Sequence, residues 1–85
     1  MEQRTVALDG ASYIADVTTA QSLAQLERAI KRMRTGDALY VARARGDRAI
    51  VKFGSRNFHV YDVESTRRIF GPLSDAEAAN RAWTR

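Results

Sequence analysis

The chain predicts a small α+β domain. It would be an antiparallel sheet with one long and one short C-terminal helix packed on one face, in the order ββαβββ(β)α. Three observations carry this reading. Asp9-Gly10 and Gly46-Asp47 each separate two short alternating runs, the pattern of a β-hairpin with a tight turn. Between the hairpins Leu23, Leu26, Ile30 and Met33 recur at helical spacing. Finally, 85 residues with 45% apolar content make one domain with just enough hydrophobic surface to offset chain entropy, so 1–85 read as a single unit.

The elements follow in order. Thr5–Leu8 and Ala11–Val17 are strands, and pairing across Asp9-Gly10 puts Val6, Leu8, Ala11 and Tyr13 on one face. A helix runs over about Thr19–Thr35, with Thr18 as N-cap, Gln21 at capping-box spacing and Gly36 ending it in a left-handed conformation. Lys31, Arg32 and Arg34 lie in its last turns, where cations complement the helix dipole. Ala38–Arg45, Arg48–Phe53 and Asn57–Val63 are strands, and Arg67–Phe70 is an optional fourth. The last helix spans Asp75 to about Trp83, capped by Ser74 with Glu77, with Leu73 as a staple and Ala76, Ala79 and Trp83 inward.

Composition excludes several classes. Without cysteine there are no disulfides and no thiolate metal sites. No apolar run reaches the ~20 residues of a membrane span, and the first residues, Met1 to Arg4, lack a signal-peptide pattern, so a cytoplasmic location is expected. His59 is the single histidine, and no cluster at ligand or catalytic spacing surrounds it. The expectation is therefore a non-enzyme without cofactor or metal. The set His59, Tyr61 and nearby Arg has the chemistry of small basic ribonuclease toxins, but the element order differs from that fold.

Charge is the informative feature. Residues 1–27 carry a net −3, residues 28–56 carry nine cations against Asp37 and Asp47, and residues 57–85 are neutral. A two-residue turn at Gly46-Asp47 sets Arg45 opposite Arg48, Arg43 opposite Ile50 and Val41 opposite Lys52. Alternation then makes Tyr40, Ala42, Ala44, Ala49, Val51 and Phe53 the core face. A second such turn at Ser55-Arg56 adds Phe58 and Val60 to that core. The outer face becomes Arg43, Arg45, Arg48, Lys52, His59, Tyr61 and Arg68, with no carboxylate among them. Like charges paired across strands repel, and a polyanion would relieve that repulsion while releasing its own counterions.

The stretch Phe70-Gly71-Pro72-Leu73-Ser74-Asp75-Ala76-Glu77-Ala78-Ala79-Asn80-Arg81-Ala82-Trp83 after three antiparallel strands resembles the end of plant ethylene-response-type DNA-binding domains and of arm-binding domains of phage integrases. The resemblance covers about half the chain. It implies a sheet face in the major groove, with Arg43, Arg45, Arg48 and Lys52 on DNA. The hairpin and long helix that precede the sheet here, and the absence of those families' tryptophan-bearing strands, depart from it. The segment Leu23 to Phe53 loosely resembles small phage head–tail joining proteins, which implies an assembly role.

The functional expectation is a non-enzymatic protein that contacts nucleic acid or a nucleoprotein through this basic face, joined by Arg28, Lys31, Arg32 and Arg34. The alternatives are a stoichiometric inhibitor or adaptor that docks on a host protein complex, as an anti-CRISPR-like protein does, and a small phage assembly protein. In either of those cases the partner would be an acidic or nucleoprotein surface.

Overall fold

The computed structural model describes residues 2–84. In it β1 (Gln3–Leu8) and β2 (Ala11–Thr18) form the expected hairpin. Asp9 and Gly10 hold φ of 49° and 80°, the doubly left-handed geometry that a two-residue turn requires. Leu8 pairs with Ala11 and Val6 with Tyr13.

The first helix is shorter than its periodicity predicts: α1 is Leu23–Lys31, nine residues. Ser22, not Thr18, is its N-cap, with the side chain accepting from the Gln25 amide at 3.2 Å. Thr18 Oγ1 instead accepts from the Ala20 amide, which holds that stretch out of the helix. At the other end the Met33 amide bonds to the Ile30 carbonyl, a tighter three-residue step. The chain then turns through Gly36 (φ 95°) and is tied to β4 by Gly36 N–H to Lys52 O at 2.7 Å and Lys52 N–H to Asp37 O at 3.1 Å.

The helix reverses the chain once more than a hairpin would, so β3 (Ala38–Val41) runs parallel to β2, with Ala15 beside Ala38 and Thr18 beside Val41. The sheet is therefore mixed rather than wholly antiparallel. Its six strands lie in sequence order.

The β3–β4 connection also departs from expectation. The Asp47 carboxylate accepts from the Tyr40 hydroxyl and from the Arg43 amide (3.0 Å), and its carbonyl accepts from Val63 N–H. That folds residues 42–47 into a loop rather than a two-residue turn. As a result β3 stops at Val41, which pairs with Arg48, while Leu39 pairs with Ile50.

Between β4 (Arg48–Gly54) and β5 (Asn57–Asp62) the tight Ser55-Arg56 turn forms as expected, with Gly54 opposite Asn57. A bulge at Phe53 then shifts the register by one. Ile50 faces Val60, Val51 faces His59 and Lys52 faces Phe58. A slip of one residue exchanges the two faces of every partner beyond it. Strand β6 (Arg68–Leu73) pairs Arg68 with Tyr61 and Phe70 with Val60.

Helix α2 (Asp75–Trp83) carries the expected capping box of Ser74 and Glu77. Its inward residues are Ala78, Ala79 and Ala82; Ala76 is exposed, and Trp83 lies at the rim, 36% exposed, instead of closing the core. No helix among the described residues is long and apolar enough to cross a membrane.

Both helices cover one face of the sheet. Leu26, Ile30 and Met33 from α1 and the three alanines of α2 pack with Leu39, Val41, Ile50, Phe58 and Val60. The opposite face buries itself. Val6, Leu8 and Ala15 from the hairpin cluster with Tyr40, Ala49, Val51 and Tyr61. The sheet curls until its first and last turns meet, joined by Asp9 N–H to Thr66 O at 2.8 Å.

Asp47 makes the loop pH-dependent. The Tyr40 hydroxyl and then the Arg43 amide hold its carboxyl below the usual range. A depressed acid contributes stability that is present above the ordinary carboxyl pKa and is lost as pH falls through the folded value. Asp47→Asn should therefore destabilise the protein at pH 7 far more than at pH 3 in urea unfolding. A gap that is equal at both values would contradict this role.

Candidate functional site

The structure takes the expected basic face apart into three groups. Arg48 and Lys52 alternate with Ala49 and Val51, and so they lie on the helix-covered side with Ile50. There they meet helix ends. Lys52 Nζ donates to the Met33 carbonyl at 3.0 Å, just past the end of α1. Arg43 Nη1 donates to the Ala82 and Thr84 carbonyls at 3.3 and 2.5 Å, and Arg48 Nη1 to the carbonyls of Arg81 and Thr84. These carbonyls are the orphan acceptors at a helix C-terminus, where the dipole favours cations. Arg48 also lies 5.7 Å from the centre of the Phe70 ring. Burial and the neighbouring Arg43 lower the Arg48 pKa below that of a free guanidinium. Arg43 itself sits in the 42–47 loop, and Arg45 is exposed there. A sheet face placing Arg43, Arg45, Arg48 and Lys52 together in a DNA groove is thus not what the fold presents.

His59, Tyr61 and Arg68 share the other face of the sheet, the one without helices. Tyr61 is only 3% exposed and belongs to the core. The His59 ring rests on Gly71, whose φ is 142°; a Cβ added there would stand 2.7 Å from the imidazole. Burial first, and then Arg68, lower the His59 pKa against a smaller opposing pull from Asp9. The ring is therefore neutral at pH 7.

Arg28, Lys31 and Arg32 form the third group. All three are exposed, Arg28 and Lys31 on α1 and Arg32 at its C-cap, on the side away from Leu26 and Ile30. Among the described residues one ion pair exists, Arg4 with Glu2 at 3.5 Å, so these cations have no carboxylate partner. Two hollows of about 300 Å³ flank them. In one, Lys31, Lys52, Ser55 and Arg56 stand over a floor of Ile30 and Phe58, with Asp75 at the side. In the other, Arg28 and Arg32 face Thr18, Thr19 and Gln25. Lys52 Nζ is fixed twice, by the Met33 carbonyl and by the Phe58 ring at 5.5 Å. A larger hollow of about 530 Å³ between β2 and α1 sets Glu2, Asp16 and Asp37 against Arg32, which is the wrong balance for an anion.

The sequence does not mark Arg56, because a turn arginine in a charge block carries no pattern of its own. The tight Ser55-Arg56 turn and the early end of α1 bring it beside Lys31. No group of three or more His, Cys, Asp or Glu suited to a metal occurs among the described residues. Comparison of the chain with protein-family models, curated proteins and solved structures finds no match.

Two substitutions separate structural from binding roles. Arg48→Ala should lower stability by about 1 kcal/mol, the value of a part-exposed charge-assisted bond, as read by urea unfolding. Unchanged stability would remove its helix-end role. Gly71→Ala should cost roughly 1–3 kcal/mol through left-handed strain and the imidazole clash, and adding His59→Ala should restore part of it. A neutral Gly71→Ala would show that the close approach does not exist.

Proposed function

We propose that this chain is a single-domain, non-enzymatic binding protein of the cytoplasm that engages nucleic acid, bare or within a nucleoprotein. The contact runs along the crest of α1 and the adjoining β4–β5 turn rather than across the sheet. The observation that supports this reading is the row Arg28, Lys31 and Arg32, exposed, without carboxylate partners among the described residues and flanked by two concave hollows lined mainly by cations and neutral residues. An ordinary solvated helix face intersperses acids at i+4 from its bases; here Glu27 stands four residues before Lys31, but Arg28 and Arg32 occupy such a pair of positions as two cations. Phosphates in the hollows would relieve that repulsion and release counterions. Lys52 and Arg56 serve the hollow at the β4–β5 turn, with Lys52 already held in place. Arg43 and Arg48 belong to the helix-end scaffold. Arg45, with Arg34 after α1, adds long-range attraction without a fixed seat.

Fluorescence anisotropy with a labelled random-sequence oligonucleotide tests the reading. Affinity should fall roughly 50-fold from 50 to 200 mM salt, as expected for a few neutralised phosphates. The triple change Arg28→Glu, Lys31→Glu and Arg32→Glu should weaken it about 100-fold at low salt. Absence of binding at 50 mM salt would refute the proposal.

A further inference from the structure

The bulge that shifts the β4–β5 register also creates a surface that the α1 cations do not explain. Phe53 sits in the bulge and is 43% exposed, although it lies next to the pair of buried Val51 and half-buried His59. Its ring rests on the His59 imidazole, with centroids 4.5 Å apart and planes at 44°. His59 in turn is seated on Gly71, where no side chain intervenes. Tyr61 lies beyond His59 at 6.5 Å. Gly71 and His59 thus support the Phe53 ring from one side, and the ring stays part-exposed on the side of the sheet that carries no helix.

Two cations belong to the same region of the sheet. Arg68 is close enough to His59 to lower its pKa, and Arg56 stands in the turn three residues after Phe53. The same turn borders the hollow of Lys31, Lys52 and Arg56. A fixed aromatic face beside phosphate-binding cations fits an unpaired base, which can stack on the ring while its backbone lies over the turn. Bases of a duplex are already stacked on each other and offer no free face.

Resting on the reading given under Proposed function, we propose that the nucleic acid bound is single-stranded and that Phe53, backed by His59, is a base-stacking platform. The strand crosses the tip of the β4–β5 turn, with phosphates in the Lys31–Lys52–Arg56 hollow and one base on Phe53.

The test compares wild type and Phe53→Leu, which keeps an apolar side chain at a part-exposed site but removes the π-face. Three labelled probes of equal length, about 12 nucleotides, are titrated at low salt: a single strand, a duplex, and a single strand of abasic residues. Wild type should prefer the single strand to both others by about tenfold. Phe53→Leu should erase that preference while leaving duplex and abasic affinities unchanged. Equal binding of all three probes by wild type, or a Phe53→Leu variant that matches wild type on the single strand, would overturn the platform and leave the phosphate contact standing. Failure of every probe to bind would refute the underlying nucleic-acid reading and this inference with it.

Discussion

The sheet is buried on both faces over β3 and the middle of β4, and the rest of the molecule is arranged around that constraint. Ala38, Leu39, Tyr40 and Val41 are all buried, as are Ala49, Ile50 and Val51. One set of side chains meets the helices, and the alternate set meets the curled hairpin. A strand buried on both sides has no position for a solvated cation. The charged residues of this region are accordingly found where the strands end. Arg48 opens β4 and Lys52 precedes its bulge, and each donates to carbonyls at or just beyond a helix C-terminus. The same contacts hold α2 and the α1–β3 turn against the sheet. Cations that would have formed a patch on an open sheet instead clamp the helices of a closed one.

Parts of this arrangement can be read from the residues alone because their causes are local. Asp9-Gly10 needs nothing beyond its two left-handed residues to form its turn, and Ser74 with Glu77 caps α2 by a reciprocal bond within four residues. The apolar stripe of α1 and its opposing cations are equally local. Other parts depend on contacts far apart in sequence. Asp47 looks like a turn residue beside Gly46, yet its partners are Tyr40, Arg43 and Val63, and they convert a hairpin turn into a loop. The α1 terminus is set by β4 backbone, and the parallel β2–β3 pairing follows from the crossover rather than from any pattern in either strand.

The bulge at Phe53 has the widest effect. Within β3 and β4, alternation groups Tyr40, Ala49, Val51 and Phe53 on one face and Val41, Ile50 and Lys52 on the other, and the folded sheet keeps that grouping. The extra residue moves Phe58 and Val60 to the opposite side and carries His59 and Tyr61 in return. The large apolar residues Leu39, Val41, Ile50, Phe58 and Val60 therefore gather on one face, and that is the face the helices choose. No residue-type signal marks such a bulge in advance, since Phe53 fits a paired strand position as well as a bulged one. The candidate site inherits both outcomes: the α1 crest is where the sequence places it, while the exposed Phe53 and the seat of Arg56 arise only from the shifted register.

The arrangement thus depends on the β4–β5 register, which methyl and aromatic NOEs measure without reference to function. Ile50 methyls should contact Val60 across the strands and the Leu26 and Ile30 stripe of α1, with Phe53 ring protons close to His59. Contacts between Val51 and Val60 and between Phe53 and Phe58, with Ile50 free of α1, would contradict it.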